Sequence, residues 1–455
     1  MYDLLIKNAL LVNASDTQKG CIAIKDGKIM AIGGDASDFS AIRELDAQGK
    51  HMLPGCVDVH VHFRDPGLTY KEDFSTGSMA AAAGGVTTVF DMPNVQPPTL
   101  NVENFLIKKQ IAEEKSYVNY GIYSYLVNNL DQIDALIEAG VCGFKWDLST
   151  FDWELPEGYY LPDNHEAADI FRKIATYDYV VSIHAEDMEL VKNFTSKLRS
   201  EGRDERDFLA HVEARPDIVE LSALYRAFVL SELSGCRIHI THLTSKRGLA
   251  LIKEHQRRGI RVTSDVGPAW FTFNAGDYEK FGGGIRVIPA IRYKEDSDAL
   301  WRSLADGGIE AVATDHAPHS NEEKFNRTWW DTLPGTIGVQ TSLPILLDRV
   351  NKGEMTLERV VACMAEAPAR IFGLYPRKGG IRVGMDADLV LVDMDKEWVV
   401  THGEMYSKTK YTPYDGMWLR GKPVMTIVMG DIIMENGNIV GKPGAARMVN
   451  PKKEW

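Results

Sequence analysis

Two histidines stand two residues apart at the end of an apolar run, His60 and His62 in CVDVHVHF. Side chains two apart in an extended strand share a face, so both could reach one metal ion. Other apolar runs end in residues of ligand or acid–base type: Lys145 in VCGFKW, His184 in YVVSIHA, His242 in RIHITHL and Asp315 in EAVATD. Each alone has a plain structural explanation. A single His in an apolar strand is more often a hydrogen-bonded core residue, and Asp315 alone would suit a helix N-cap. Lys145 is harder to explain that way, because a buried unpaired ammonium is costly.

Together, four His, one Asp and one Lys exceed the ligand need of a single zinc, so two divalent ions fit better. Zn, Mn, Co and Fe all suit mixed imidazole and carboxylate ligands, with Zn the first expectation. An ammonium cannot ligate, so Lys145 must be neutral or altered to take part. His239 and His242 have opposite strand parity, so only one is expected to point inward. His242 lies nearer the strand end and is the expected ligand; His239 is assigned to packing. Asp315 is preferred over His316 on the same positional ground, with His316 as a supporting candidate.

These residues need a scaffold that gathers strand ends. Eight apolar runs read as strands: 56–63, 86–92, 117–126, 141–146, 179–185, 237–243, 260–265 and 310–315. Helical patterns lie between them, at 101–115, 164–176 and 217–234 among others. Such alternation predicts an α/β fold with a parallel sheet, and eight units over this length predict a TIM-like (β/α)₈ barrel. Chemistry in that fold collects where the C-terminal strand ends meet. A doubly wound open sheet is the alternative, but no G-x-G-x-x-G and no P-loop supports its nucleotide-binding forms.

The two ends of the chain read differently, as short strands broken by Asp26-Gly27 and Asn436-Gly437. The expected organisation is a small β-sandwich domain built from residues 1–52 and 381–455, around a catalytic barrel at 53–380. The 455 residues carry 51 Lys and Arg against 64 Asp and Glu, a net charge of -13. That balance argues against nucleic acid or an anionic membrane as partner. No apolar run approaches a membrane span, and no secretory signal opens the chain. Five Cys without a C-x-x-C pair read as buried thiols of a cytoplasmic protein.

The segments DVHVHFRDPG, GFKW, VSIHAED, RIHITHLTS, ATDHAPH and VGMDADLVLVD carry a family resemblance. Over nearly the whole chain it resembles the cyclic-amide branch of the amidohydrolase superfamily: dihydroorotases, dihydropyrimidinases or hydantoinases, and allantoinases. The resemblance implies that His60, His62 and Asp315 hold one ion and that His184 and His242 hold a second. Lys145, carbamylated by carbon dioxide, would bridge both. The implied reaction is reversible hydrolysis of a ring amide by activated water, with Asp315 catalytic in moving the proton to the leaving nitrogen. A homo-oligomer, dimer or tetramer, is implied as well.

For the substrate, Arg64, Asn94 and His319 resemble the groups with which dihydroorotases hold a carboxylate, and an Arg fork suits that task. The competing explanation for Arg64 is a salt bridge with Asp65 or another acid. The expectation is dihydroorotase-like action on a carboxylated cyclic ureide, as in pyrimidine metabolism. GFKW is more similar to dihydropyrimidinases and allantoinases. Ile288 stands where many dihydroorotases have Asn before Pro-Pro, and Trp270 departs from their Thr-Pro-His-His. Trp270 is expected to make the pocket larger, flatter and more apolar. Hydantoinase-like or allantoinase-like action is therefore the alternative. An inactive structural homologue is a third reading, against which stands the presence of every expected ligand type.

Overall fold

The computed structural model describes residues 1–147 and 155–451. The chain opens with β1 (Tyr2–Val12), β2 (Thr17–Lys25), β3 (Lys28–Gly33), β4 (Ala41–Asp46) and β5 (His51–Pro54). Eight strands follow: β6 (Cys56–Val61), β7 (Val86–Asp91), β8 (Asn119–Tyr125), β9 (Gly143–Asp147), β10 (Val180–His184), β11 (Arg237–Ile240), β12 (Val262–Val266) and β13 (Ala311–Val312). They form one parallel sheet in unbroken chain order. A parallel bridge between Val61 and His316 joins its two edges, making a (β/α)₈ barrel. The eight expected strands are all present, and the uninterrupted order excludes the doubly wound alternative.

Burial explains the near-continuous apolar runs. Every residue of β7 and β8 is buried, because helices cover one face and the barrel interior the other. Phe90, Tyr123 and Phe372 fill the barrel floor, with ring centroids 5.3–6.1 Å apart. The floor is thus packed, and only the opposite end is open to a ligand. The helices Val102–Lys115, Asn164–Thr176 and Asp217–Ser234 lie where the periodicity predicts them. Asn101 caps the first. Asp163 and Glu166 form a reciprocal capping box on the second. Gly235, at φ 70°, ends the third in the left-handed conformation that suits glycine.

After the barrel come β14 (Leu389–Val399), β15 (Trp418–Val428), β16 (Asp431–Glu435) and β17 (Asn438–Ile439). They join the first five strands in one nine-stranded sheet, ordered β17-β16-β15-β14-β5-β1-β2-β3 with β4 on β1. The seam between the chain ends is the antiparallel pairing of β5 with β14, Met52 opposite Leu391. Leu4, Ile6, Leu389, Leu391 and Ile427 share one apolar cluster across it. Among the described residues no helix is long and apolar enough to cross a membrane, and all five Cys are buried and free.

Two barrel strands stop earlier than their apolar runs suggest. β13 is two residues long, because Thr314 turns away to donate its N–H and hydroxyl to Asp58. Asp315 follows at φ 47°. β11 ends at Ile240, and His242 sits at φ 39°. Left-handed backbone at a non-glycine residue is unfavourable and persists where surrounding contacts hold it. Here it re-aims two functional side chains.

Candidate active site and metal centre

The open end of the barrel holds a cavity of about 210 Å³. All nine residues singled out in the sequence line it: His60, His62, Arg64, Asn94, Lys145, His184, His242, Asp315 and His319. His60, His62 and Asp315 converge most closely. The two Nε2 atoms are 3.2 Å apart, and Asp315 Oδ1 lies 2.9 Å from His62 Nε2 and 3.3 Å from His60 Nε2. The second pair adjoins them: His184 Nδ1 is 3.2 Å from His242 Nε2, and the His60 and His242 ring centroids are 5.3 Å apart. Lys145 Nζ donates to Thr241 Oγ1 at 3.3 Å and lies 3.7 Å from Asp147 Oδ1.

This donor set fits a divalent cation. Burial, reinforced by neighbouring cationic groups, holds His60 and His242 well below the usual histidine range, so both rings are neutral. Neutral imidazoles facing each other beside a carboxylate present lone pairs to a common space, which a cation satisfies. His60 Nδ1 and His242 Nδ1 are buried without a partner among the described residues. Burial also lowers the Lys145 pKa, against the pull of Asp147 and Asp315, which favours a nucleophilic free amine.

A tier of buried groups aims these ligands. Asn94 Oδ1 lies 2.7 Å from His62 Nδ1. It accepts that ring proton and leaves Nε2 bare toward Asp315. Glu186 does the same for His184 at 2.8 Å, and is itself paired with Arg215 at 2.5 Å. Burial opposes the Glu186 charge, but Arg215 and His184 hold its carboxyl well below the usual range. Asp265 accepts from the His242 backbone at 2.6 Å and from His239 Nε2 at 2.9 Å. Asp58 accepts from the His60 N–H as well as from Thr314. Burial pushes the Asp58 carboxyl up to about 7, despite its Thr314 donors. Glu186, Asp265 and Asp58 were not anticipated. Their only sequence signal is an acid within two residues of a ligand, in DVH and HAE, or closing the seventh strand, in TSD.

Three expectations change on this geometry. His239 does not face away from the barrel interior. It is in register with Ser182, and Ser182 with Lys145, so all three share the inward face. His239 packs one layer below the cavity, bonded to Asp265 and Thr263. The parity argument fails because the left-handed turn at His242 breaks the alternation. Trp270 does not line the cavity. It is buried beside the His242 ring, 5.7 Å between centroids, with Nε1 donating to Pro289 O. It therefore shapes a ligand's surroundings without enlarging the pocket. The His316 side chain also points elsewhere, with Gly338 N–H donating to Nδ1; its link to the site is its carbonyl, which accepts from His62 N–H.

The wall beside β6 and β13 is cationic. Arg64 is buried, and among the described residues no carboxylate pairs with it; Asp65 pairs with Lys115 instead, at 2.8 Å. Its Nε donates to Pro318 O at 3.3 Å, and its Nη2 lies 3.2 Å from His319 Nε2. Burial and the Arg64 charge hold His319 neutral. Its Nδ1 faces the Lys71 ammonium at 3.2 Å, so the ring proton sits on Nε2 and goes to Pro334 O at 2.9 Å. Arg64 is then a neighbour of the ring, and its outer N–H groups remain for the cavity. Gly335 lets the adjoining loop pass close by: at φ 146°, a Cβ there would come within 2.2 Å of Ala317 O.

A (β/α)₈ barrel with His, Asp and Lys at its strand ends defines a class of metal-assisted hydrolases, and residues 51–433 match the model of the Amidohydrolase family. The chain belongs to that family. It is similar to the solved structure of an L-hydantoinase (dihydropyrimidinase) from Arthrobacter aurescens, with 35% identity and a TM-score of 0.94, covering 99% of this chain and 100% of that one. It is 34% identical to an allantoinase of Deinococcus radiodurans, over 99% of both chains. It is also 35% identical to a dihydroorotase of Methanothermobacter thermautotrophicus, over 97% of this chain and 96% of the other. The protein is accordingly a hydrolase of cyclic amides.

Proposed function

We propose that this protein opens the ring amide of a five-membered cyclic ureide, a hydantoin-type ring, at a centre of two divalent ions. His60, His62 and Asp315 would hold one ion, His184 and His242 the other, and Lys145, as its carbamate, both. The observation that carries the reading is the convergence of His60, His62 and Asp315, adjoined by His184 and His242, in a cavity that the buried Lys145 also lines. Such ions supply Lewis acidity and make water acidic enough to ionise near neutral pH. The chain's own groups then divide the remaining tasks. Asp315, beside His62, is suited to accept a proton at its carboxylate and return it to the ring nitrogen. Asn94 spends its carbonyl oxygen on His62 and keeps its amide N–H groups for a substrate carbonyl. Arg64 supplies a second donor. Similarity to an L-hydantoinase and to an allantoinase supports the five-membered ring.

A second reading, dihydroorotase-like opening of a carboxylated six-membered ring, is favoured by one observation. Arg64 is buried and lacks a carboxylate partner, as a clamp for a substrate carboxylate would be. Five buried free thiols support a reducing, cytoplasmic setting. The test is a panel of 5-substituted hydantoins, allantoin, dihydrouracil and dihydroorotate against Zn- and Mn-loaded protein, read as kcat/KM. Preference for the hydantoin-type rings is expected. Arg64→Met separates the readings: selective loss on dihydroorotate supports the clamp, and equal loss on all rings refutes it. Inertness toward every ring after metal loading would overturn the function itself.

A further inference from the structure

Among the described residues, Asp147 is the one charged residue lining the cavity that the proposed reaction does not use. The strand register sets its direction. Tyr125, Lys145 and Ser182 form one inward row across β8, β9 and β10, and Asp147 with His184 forms the next row toward the mouth. The Asp147 side chain thus shares the face of Lys145 and stands beside a ligand histidine, with 18% of its side-chain surface exposed. Its ion partner among the described residues is Lys145, at 3.7 Å. If Lys145 carries a carbamate, that ammonium is gone and the Asp147 carboxylate is left without its side-chain ion partner.

Charged and hydrogen-bonding groups stand on two walls of the cavity, with Met92, Met188, Ile288 and Leu333 as apolar lining between them. Arg64 follows β6 and His319, with Lys71 behind it, follows β13, the two strands whose edges close the ring. β9 lies three strands from β6 and four from β13 in the sheet order, so Asp147 stands on the opposite wall. A ligand ring between these walls meets donors on one side and a carboxylate on the other. An apolar substituent pressed against Asp147 would strip water from a charged group and return no hydrogen bond. A substituent bearing N–H groups would replace that water.

We infer that Asp147 selects cyclic ureides whose exocyclic substituent donates N–H hydrogen bonds, a ureido or an ammonium group, over those with apolar substituents. This rests on the ring-opening function proposed above. The test compares metal-loaded wild type with Asp147→Leu, Asp147→Asn and Asp147→Glu on three hydantoins: 5-ureido, 5-(4-aminobutyl) and 5-butyl. In wild type, kcat/KM should favour the first two. Asp147→Leu should lower their advantage over 5-butylhydantoin by about tenfold or more. Asp147→Asn should lose the ammonium preference and keep part of the ureido preference, since its amide oxygen still accepts. Asp147→Glu should retain both.

Calorimetric dissociation constants for the ring-opened N-carbamoyl amino acids with the same side chains give a second reading without turnover. Metal content per chain is measured alongside. Uniform loss on all three rings with reduced metal would overturn the inference, assigning Asp147 to Lys145 alone. Intact turnover with unchanged ratios would overturn it too. If wild type opens none of the rings, the proposed function falls, and the calorimetric ratios still decide the role of Asp147.

Discussion

The two halves of the cavity floor are held in different ways. In the first, His60 and His62 come from one strand end and Asp315 from its neighbour across the ring closure, and the three donors touch one another directly. Their support is Asn94, from beyond β7, on one ring and Asp58 on one backbone N–H. In the second, Lys145, His184 and His242 come from three successive strands or their ends. Its two histidines lean on buried charges, Glu186, two residues from His184 and paired with Arg215, and Asp265 on β12. The supported ring of the first half is held by a neutral amide, and that of the second by a buried ion pair. They should therefore fail differently.

The largest effect is expected from the first half. His60→Ala should lower kcat/KM by roughly a thousandfold or more and remove bound metal, read by elemental analysis. Asp315→Asn should lose comparable activity. Full activity in either variant would remove this half from the site.

Glu186→Gln tests the other half. It leaves the buried Arg215 without a counter-charge and should cost about 3–5 kcal/mol in urea unfolding. Metal affinity should fall about 10–100-fold, as for other groups that orient ligand histidines. The loss should be confined to one ion per chain. Equal weakening of both ions would erase the distinction between the halves.

Asn94→Ala frees the His62 ring and removes amide donors from the cavity, so a fall of about tenfold in kcat/KM is expected. An unchanged value would mean that the strand ends alone aim His62.

The smallest effect concerns the cationic wall. Burial opposes the charge of Glu323, but hydrogen bonds from Lys71 and the Ser320 N–H hold its carboxyl well below its ordinary 4.5. Such a depressed group stabilises the fold above its ordinary pKa, and that contribution is lost as pH falls through the folded value. Glu323→Gln should therefore lower Tm by about 2 °C at pH 7, with the difference shrinking in acid. A difference that grows on acidification would contradict this account of the wall.

Apolar runs of strand length at regular intervals make eight barrel strands legible, because strands buried on both faces must be apolar along their whole length. The polar residues ending those runs are legible for the same reason: His, Lys and Asp stand out against apolar strands, and together they end five of them. Period-two alternation also pairs His60 with His62. Where the chain leaves the strand the rule stops, and the left-handed turns at His242 and Asp315 are why parity misdirects His239. Trp270, read from its neighbours in sequence, proves to pack behind His242, which only side-chain packing could decide. Residue type and spacing thus determined which groups line the cavity. Which of them touch was decided by ring closure, which brings Asp315 within 2.9 Å of His62 across 253 residues of chain. The aim of His62 was decided by Asn94 and that of His242 by Asp265, groups from other parts of the chain that leave no periodic trace in the sequence.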